Sequence, residues 1–222
     1  MSDNEIDELI SDDEINDDNT ENQPTIQHFP TIDVIVGSCK SGKSNLAKYI
    51  IADRLRTNPN LMFAMFNNGA VPHEGISDKY VYGWDIDKFE ELANIDGDKI
   101  ILLEDLMSQV QSERDKKRLV NILSIHRHLR LSVVIITQTI ISLPSALRMR
   151  ELSSDMTMYV FRQTRLDRLK TVFEACECWE VFDELIAINK ALDKYEWIKI
   201  NADNTFIVDK CIDMSELIIN DK

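Results

Sequence analysis

Lys43 and Ser44 close the run Gly37-Ser38-Cys39-Lys40-Ser41-Gly42-Lys43-Ser44, which has the spacing G-x-x-x-x-G-K-S. Glycines at these two positions let the backbone amides close around a β- or γ-phosphate. Lys43 would neutralise the β/γ charge there, and the Ser44 hydroxyl would ligate Mg²⁺. A second set of reactive groups ends the segment Ile100-Ile101-Leu102-Leu103-Glu104-Asp105, where four apolar residues run into two carboxylates. The expected division of labour is Glu104 in the Mg²⁺ shell and Asp105 polarising an attacking water. A third apolar run, Val133 to Ile136, closes in Thr137-Gln138, and the Gln138 amide is suited to sensing a γ-phosphate or orienting water. Binding and hydrolysis of a nucleoside triphosphate is the chemistry these three clusters suggest.

Such groups need strands that stop at one edge of a sheet. Ile32, Val34, Ile35 and Val36 form the apolar run of a buried parallel strand directly before the glycine loop, and residues 45–56 carry Leu46, Tyr49, Ile50 and Leu55 at helical spacing. Further strands are expected over 61–66 and, at an edge, over 79–82. A helix over 85–93 has Ile86, Phe89 and Leu92 on one face. A helix over 113–130, opened by Ser112, is expected to bury Leu119, Ile122, Leu123 and Leu129. Its other side is basic, with Arg114, Lys116, Lys117, Arg118, Arg127, His128 and Arg130, and is a candidate grip for nucleic acid. A strand over 156–161, helices over 166–173 and around Phe182, Leu185 and Ile186, and a hairpin turning at Asp203-Asn204 complete the chain. The fold class is α/β, a mostly parallel sheet flanked by helices. The strand ending in Gln138 is expected between the loop strand and the carboxylate strand.

The chain has 222 residues and a formal charge of -14. Residues 1–22 hold ten acidic and no basic side chains, which leaves 25 basic against 29 acidic residues, a net -4, on the remainder. Residues 1–28 therefore read as an acidic tail too polar to repay the entropy of ordering, with Ile6, Leu9, Ile10 and Ile15 spaced for induced helical docking on a basic partner. Residues 29–222 read as one domain. No apolar run approaches the roughly 18 residues of a membrane span and no signal-like segment opens the chain, so a soluble, intracellular protein without a membrane role is expected. Cys39, Cys176, Cys178 and Cys211 lack the spacing of a zinc site or disulfide framework, so reduced thiols are expected.

The segment His126-Arg127-His128-Leu129-Arg130-Leu131-Ser132-Val133-Val134-Ile135-Ile136-Thr137-Gln138 resembles the FtsK/HerA-type ATPases, in particular the poxvirus-type genome-packaging ATPases of double-stranded DNA viruses. The likeness continues through Leu143-Pro144, Arg148 and the 156–162 segment, and spans about residues 30–175. It implies a P-loop NTPase with an additional-strand, RecA-like core, a homo-oligomeric ring, translocation of double-stranded DNA driven by ATP and Mg²⁺, a possible capsid protein partner, and a place in host cytoplasm, viral factory or virion. It also implies an arginine supplied by a neighbouring subunit, with Arg127 and Arg148 the first candidates and Arg130, Arg150 and Arg162 behind them. The family usually has Asp followed by Asp or Glu where this chain has Glu104-Asp105. Two other functions stay open on sequence: a P-loop small-molecule phosphotransferase, and a nucleotide-binding scaffold or switch without sustained turnover.

Overall fold

The computed structural model describes residues 30–68, 79–110, 112–148, 156–163, 165–175, 180–201 and 205–210. The acidic segment 1–28, Arg150, the hairpin turn and three of the four cysteines lie outside these residues. In chain order the elements are β1 (Ile32–Val36), α1 (Lys43–Thr57), β2 (Met62–Asn67), β3 (Lys79–Tyr82), α2 (Ile86–Ala93), β4 (Lys99–Glu104), α3 (Glu113–Ser124), β5 (Leu131–Thr137), α4 (Ser145–Arg148), β6 (Met156–Phe161), α5 (Leu166–Ala175), α6 (Phe182–Ala191), β7 (Glu196–Ile200) and β8 (Phe206–Lys210). The strands form one eight-stranded sheet in the order β3-β2-β4-β5-β1-β6-β7-β8. The six strands from β3 to β6 are mutually parallel, and β7 and β8 add antiparallel at the β6 side.

Every residue of β1 and β4 is buried, which accounts for their apolar character on both faces, since a parallel strand covered on both sides has no solvent side to alternate toward. One face packs Val34, Leu103, Ile135 and Val160 with Leu92 of α2, Leu119 of α3, Phe173 of α5 and Leu185 of α6. The opposite face packs Ile35, Leu102, Ile136 and Phe161 against Leu46, Ala47 and Ile51 of α1. Asp33, 3% exposed in the middle of β1, is tolerated because Arg54 of α1 ion-pairs with it while Thr31 and Tyr159 donate to it at 2.9 and 3.3 Å. The pair fastens the far end of α1 to the sheet.

Two elements differ from the sequence reading. Helix α3 stops at Ser124 rather than 130, and residues 125–130 form turns. The His126 ring, 2% exposed, donates from Nδ1 to the Leu123 carbonyl at 2.8 Å, and Arg130 takes a left-handed φ of 52° that turns the chain into β5. Leu129 and the basic residues 127, 128 and 130 thus leave the helical face. The short helix α4, which ends at Arg148, was not expected, because four residues carry no periodicity to read.

Candidate nucleotide site

The C-terminal ends of β1, β4, β5 and β6 meet at one edge, and the glycine loop spans it. The Gly37 amide donates to the Thr137 carbonyl at 3.2 Å, tying the loop's start to the end of β5. Gly37 has no room for a side chain: a Cβ there would lie 2.7 Å from Ser41 Oγ and 2.8 Å from Phe161 Cβ. Gly42 has a φ of 105° and opens α1 with no side-chain cap. The first-turn amides of α1 are thus left without an intrahelical or capping partner, as an anion site at a helix start requires.

Lys43 is 7% exposed and donates from Nζ to the Ser38 carbonyl at 2.7 Å. Burial pushes its ammonium below the ordinary lysine value, against the opposing pull of Asp105, Cys39 and Glu104. The Ser44 hydroxyl donates to Glu104 Oε1 at 2.6 Å, and the Asn67 amide at the end of β2 donates to Glu104 Oε2 at 3.0 Å. Glu104, 8% exposed, is therefore held at both oxygens. Asp105 follows the strand end with a left-handed φ of 53°, is exposed, and is anchored by its amide to the Ile136 carbonyl at 3.1 Å. Gln138 is exposed just beyond Thr137, whose hydroxyl is fixed 2.9 Å from the Ser142 hydroxyl.

The site suits a triphosphate with a hard cation. Ser41 Oγ is buried in the loop without a hydrogen-bond partner, an acceptor's place that a phosphate oxygen fills. Ser44 and Glu104 present the hydroxyl and carboxylate oxygens that Mg²⁺ takes alongside substrate phosphates. No group of three or more His, Cys, Asp or Glu side chains converges among the described residues, and such a Mg²⁺ site does not need one.

The structure thus brings together the loop 37–44, Glu104, Asp105 and Gln138. Among the arginines, Arg127 stands at the opposite end of β5 from that edge. Arg127 sits in the turn before β5, and the Leu131 amide bonds back to the His126 carbonyl at 2.9 Å. The seven residues of β5 separate that turn from the site edge by about 20 Å. Arg148, half-buried, closes α4 beyond the end of β5. Arg130 pairs with Asp98 at 2.7 Å, and Arg162 donates to the Leu192 carbonyl at 3.2 Å. Asn67, Phe161 and Tyr195 escaped the sequence reading. Asn67 carried the one usable signal, a polar residue ending an apolar strand at the same edge as Glu104 and Gln138.

Because Lys43 is depressed by burial, the folded chain binds fewer protons there than the unfolded chain does between the lowered value and 10.5, so this group adds stability as pH rises through that window. A bound triphosphate reverses the preference. ATP affinity is expected to weaken as pH climbs through the Lys43 value, with proton uptake on binding. Calorimetry in two buffers of different ionisation enthalpy measures that uptake, and Lys43→Ala removes it.

No protein-family model and no curated protein matches the sequence. Solved structures do. The DNA-packaging ATPase B204 from Sulfolobus turreted icosahedral virus superposes with a TM-score of 0.64 at 17% identity, over 83% of this chain and 99% of that one. The genome packaging NTPase B204 from Sulfolobus turreted icosahedral virus 2, solved with AMPPCP, gives 0.62 at 17% over 82% and 98%. The pCW3 conjugation coupling protein TcpA, solved with ATPγS, gives 0.59 at 12% over 85% and 62%. The chain shares its fold with these three structures, and with the B204 packaging ATPase it does so along most of this chain and nearly the whole length of that one.

Proposed function

We propose that the chain is an ATP-hydrolysing motor that moves double-stranded viral DNA, working as a homo-oligomeric ring that docks on a capsid protein. The observation that carries the hydrolytic part is Ser44 bonded to Glu104 at 2.6 Å beneath the glycine loop, with Asp105 and the β5 terminus alongside. The loop amides and Lys43 hold the β- and γ-phosphates. Glu104, fixed by Ser44 and Asn67, would hold Mg²⁺ together with the Ser44 hydroxyl. Asp105 takes a proton from the attacking water, and Gln138 orients that water and relays the loss of the γ-phosphate along β5. Mg²⁺, when bound, supplies neutralisation of charge on the β- and γ-oxygens.

The inserted strand β5 speaks for a motor over a phosphotransferase. It separates β1 from β4 in the sheet order and delivers Gln138 beside the glycine loop, where a kinase needs no sensor. The DNA contact is less concentrated than the sequence suggested. Lys116 pairs with Glu113, Arg118 with Asp87 and Glu90, and Arg130 with Asp98, so the exposed Arg114 and Lys117 are what α3 offers to phosphates. No helix among the described residues is long and apolar enough to cross a membrane.

The test is steady-state ATP hydrolysis with and without long duplex DNA at low and moderate salt. Wild type is expected to turn over ATP faster with DNA, and Lys43→Ala to lose turnover in both conditions. ATP that stays bound and intact for hours identifies a scaffold or switch. Phosphoryl transfer to a nucleoside without DNA stimulation identifies a phosphotransferase.

A further inference from the structure

Sheet order fixes which way a bound nucleotide points. The γ-phosphate end belongs with Ser44, Glu104, Asp105 and Gln138, which stand at the ends of α1, β4 and β5 on one side of β1. The nucleoside then leaves on the other side, over the end of β6 and the start of β7. Among the described residues one exposed aromatic ring stands there. Tyr195, just before β7, is 42% exposed, and its Cδ1 lies 3.0 Å from where a Cβ on Gly42 would be, so the ring borders the start of α1.

Tyr195 also has a φ of 75°. A bulky side chain in the left-handed region is strained, and a glycine or asparagine would sit there at less cost. Strain kept at the rim of a ligand site points to a use for the ring. A second observation lies beside it. In the antiparallel pairing of β6 and β7 Phe161 faces Trp197, so Gln163 leaves the end of β6 at the same sheet edge at which Tyr195 enters β7. Gln163 is 8% exposed, its backbone is pinned by Asn189 at 3.0 Å, and its side-chain Nε2 is buried without a hydrogen-bond partner. A stacking face and an unmet amide donor at one sheet edge are what a nucleoside base and its ribose engage.

We propose that Tyr195 is the platform on which the base of the bound nucleoside triphosphate stacks, with Gln163 donating to the nucleoside, so that this pair and not the glycine loop sets base preference. The Lys194 ammonium lies 4.6 Å from the ring centroid, and its exposed chain can swing aside for a base. This assignment rests on the nucleotide-binding reading above and adds the recognition of the base.

The full chain is titrated calorimetrically with ATP and with inorganic tripolyphosphate, which has no base. Tyr195→Ala is expected to weaken ATP binding about 5- to 150-fold, the usual worth of an aromatic stack, while tripolyphosphate binds as to wild type. Tyr195→Phe, which keeps the ring, retains ATP affinity. Wild-type ATP affinity in Tyr195→Ala overturns the proposal, and so does an equal loss of ATP and tripolyphosphate, which marks a packing role for the ring. Failure of wild type to bind either ligand brings down the nucleotide-site reading itself, and the base platform with it.

Discussion

Asp105→Asn is expected to bind ATP about as tightly as wild type while its DNA-stimulated turnover falls by about 10²–10⁴, the usual contribution of a positioned general base. That loss corresponds to about 3–5 kcal/mol of barrier. The reason lies in the pleat of β4. Ile100 and Leu102 face α1 and Ile101 and Leu103 face the opposite core, so alternation carries Glu104 to the α1 side, where it meets Ser44. Asp105 is then beyond the strand, in a left-handed conformation, with its backbone held by Ile136 and its carboxylate exposed. In the proposed mechanism the Glu-Asp order gives the longer side chain to the metal shell and the shorter one to the water. Glu104→Gln should accordingly raise the Mg²⁺ concentration needed for half-maximal activity, a shift Asp105→Asn should lack. Magnesium titrations of both variants decide it. An Asp105→Asn enzyme at full speed, with hydrolysis abolished in Glu104→Gln at every Mg²⁺ concentration, would mean the roles are exchanged.

Contiguous signals were legible and cross-strand ones were not. The loop 37–44 identifies itself because its chemistry depends on local spacing, and β1, β4 and β5 announce themselves as apolar runs because both faces of the sheet are covered. The hydrogen bond from Asn67 to Glu104 joins residues 37 apart in sequence, and depends on β2 lying next to β4, which no local pattern specifies. Phe161 and Tyr195 border the loop only because β6 and β7 fall on its other side. The end of α3 misleads for another reason. Apolar spacing persists to Leu129, yet the buried His126 ring takes a carbonyl of the last helical turn and Arg130 reverses the chain. Helical periodicity records which residues face the core, and a turn packed on the same core keeps the pattern after the helix has stopped.

Arg127→Ala is expected to lower DNA-stimulated turnover by about 10³ or more while ATP still binds, because an arginine delivered to the γ-phosphate acts mainly in the transition state. In its own subunit Arg127 is about 20 Å of β5 away from the glycine loop, so any contact with a γ-phosphate must be with a neighbour's. The exposed Arg127 rides on a turn fixed by the buried His126, whereas Arg148 is half-buried at the end of a four-residue helix. The former is better built to reach across an interface without the fold having to open. Mixing separates a trans role from a local one. Lys43→Ala subunits carry a dead site and an intact arginine, and Arg127→Ala subunits the reverse. Combined in equal amounts they are expected to recover part of the wild-type rate, since some interfaces then join an intact site to an intact arginine. Mixtures as inactive as either variant alone would show that Arg127 serves its own subunit, and recovery with Arg148→Ala in its place would assign the finger to α4.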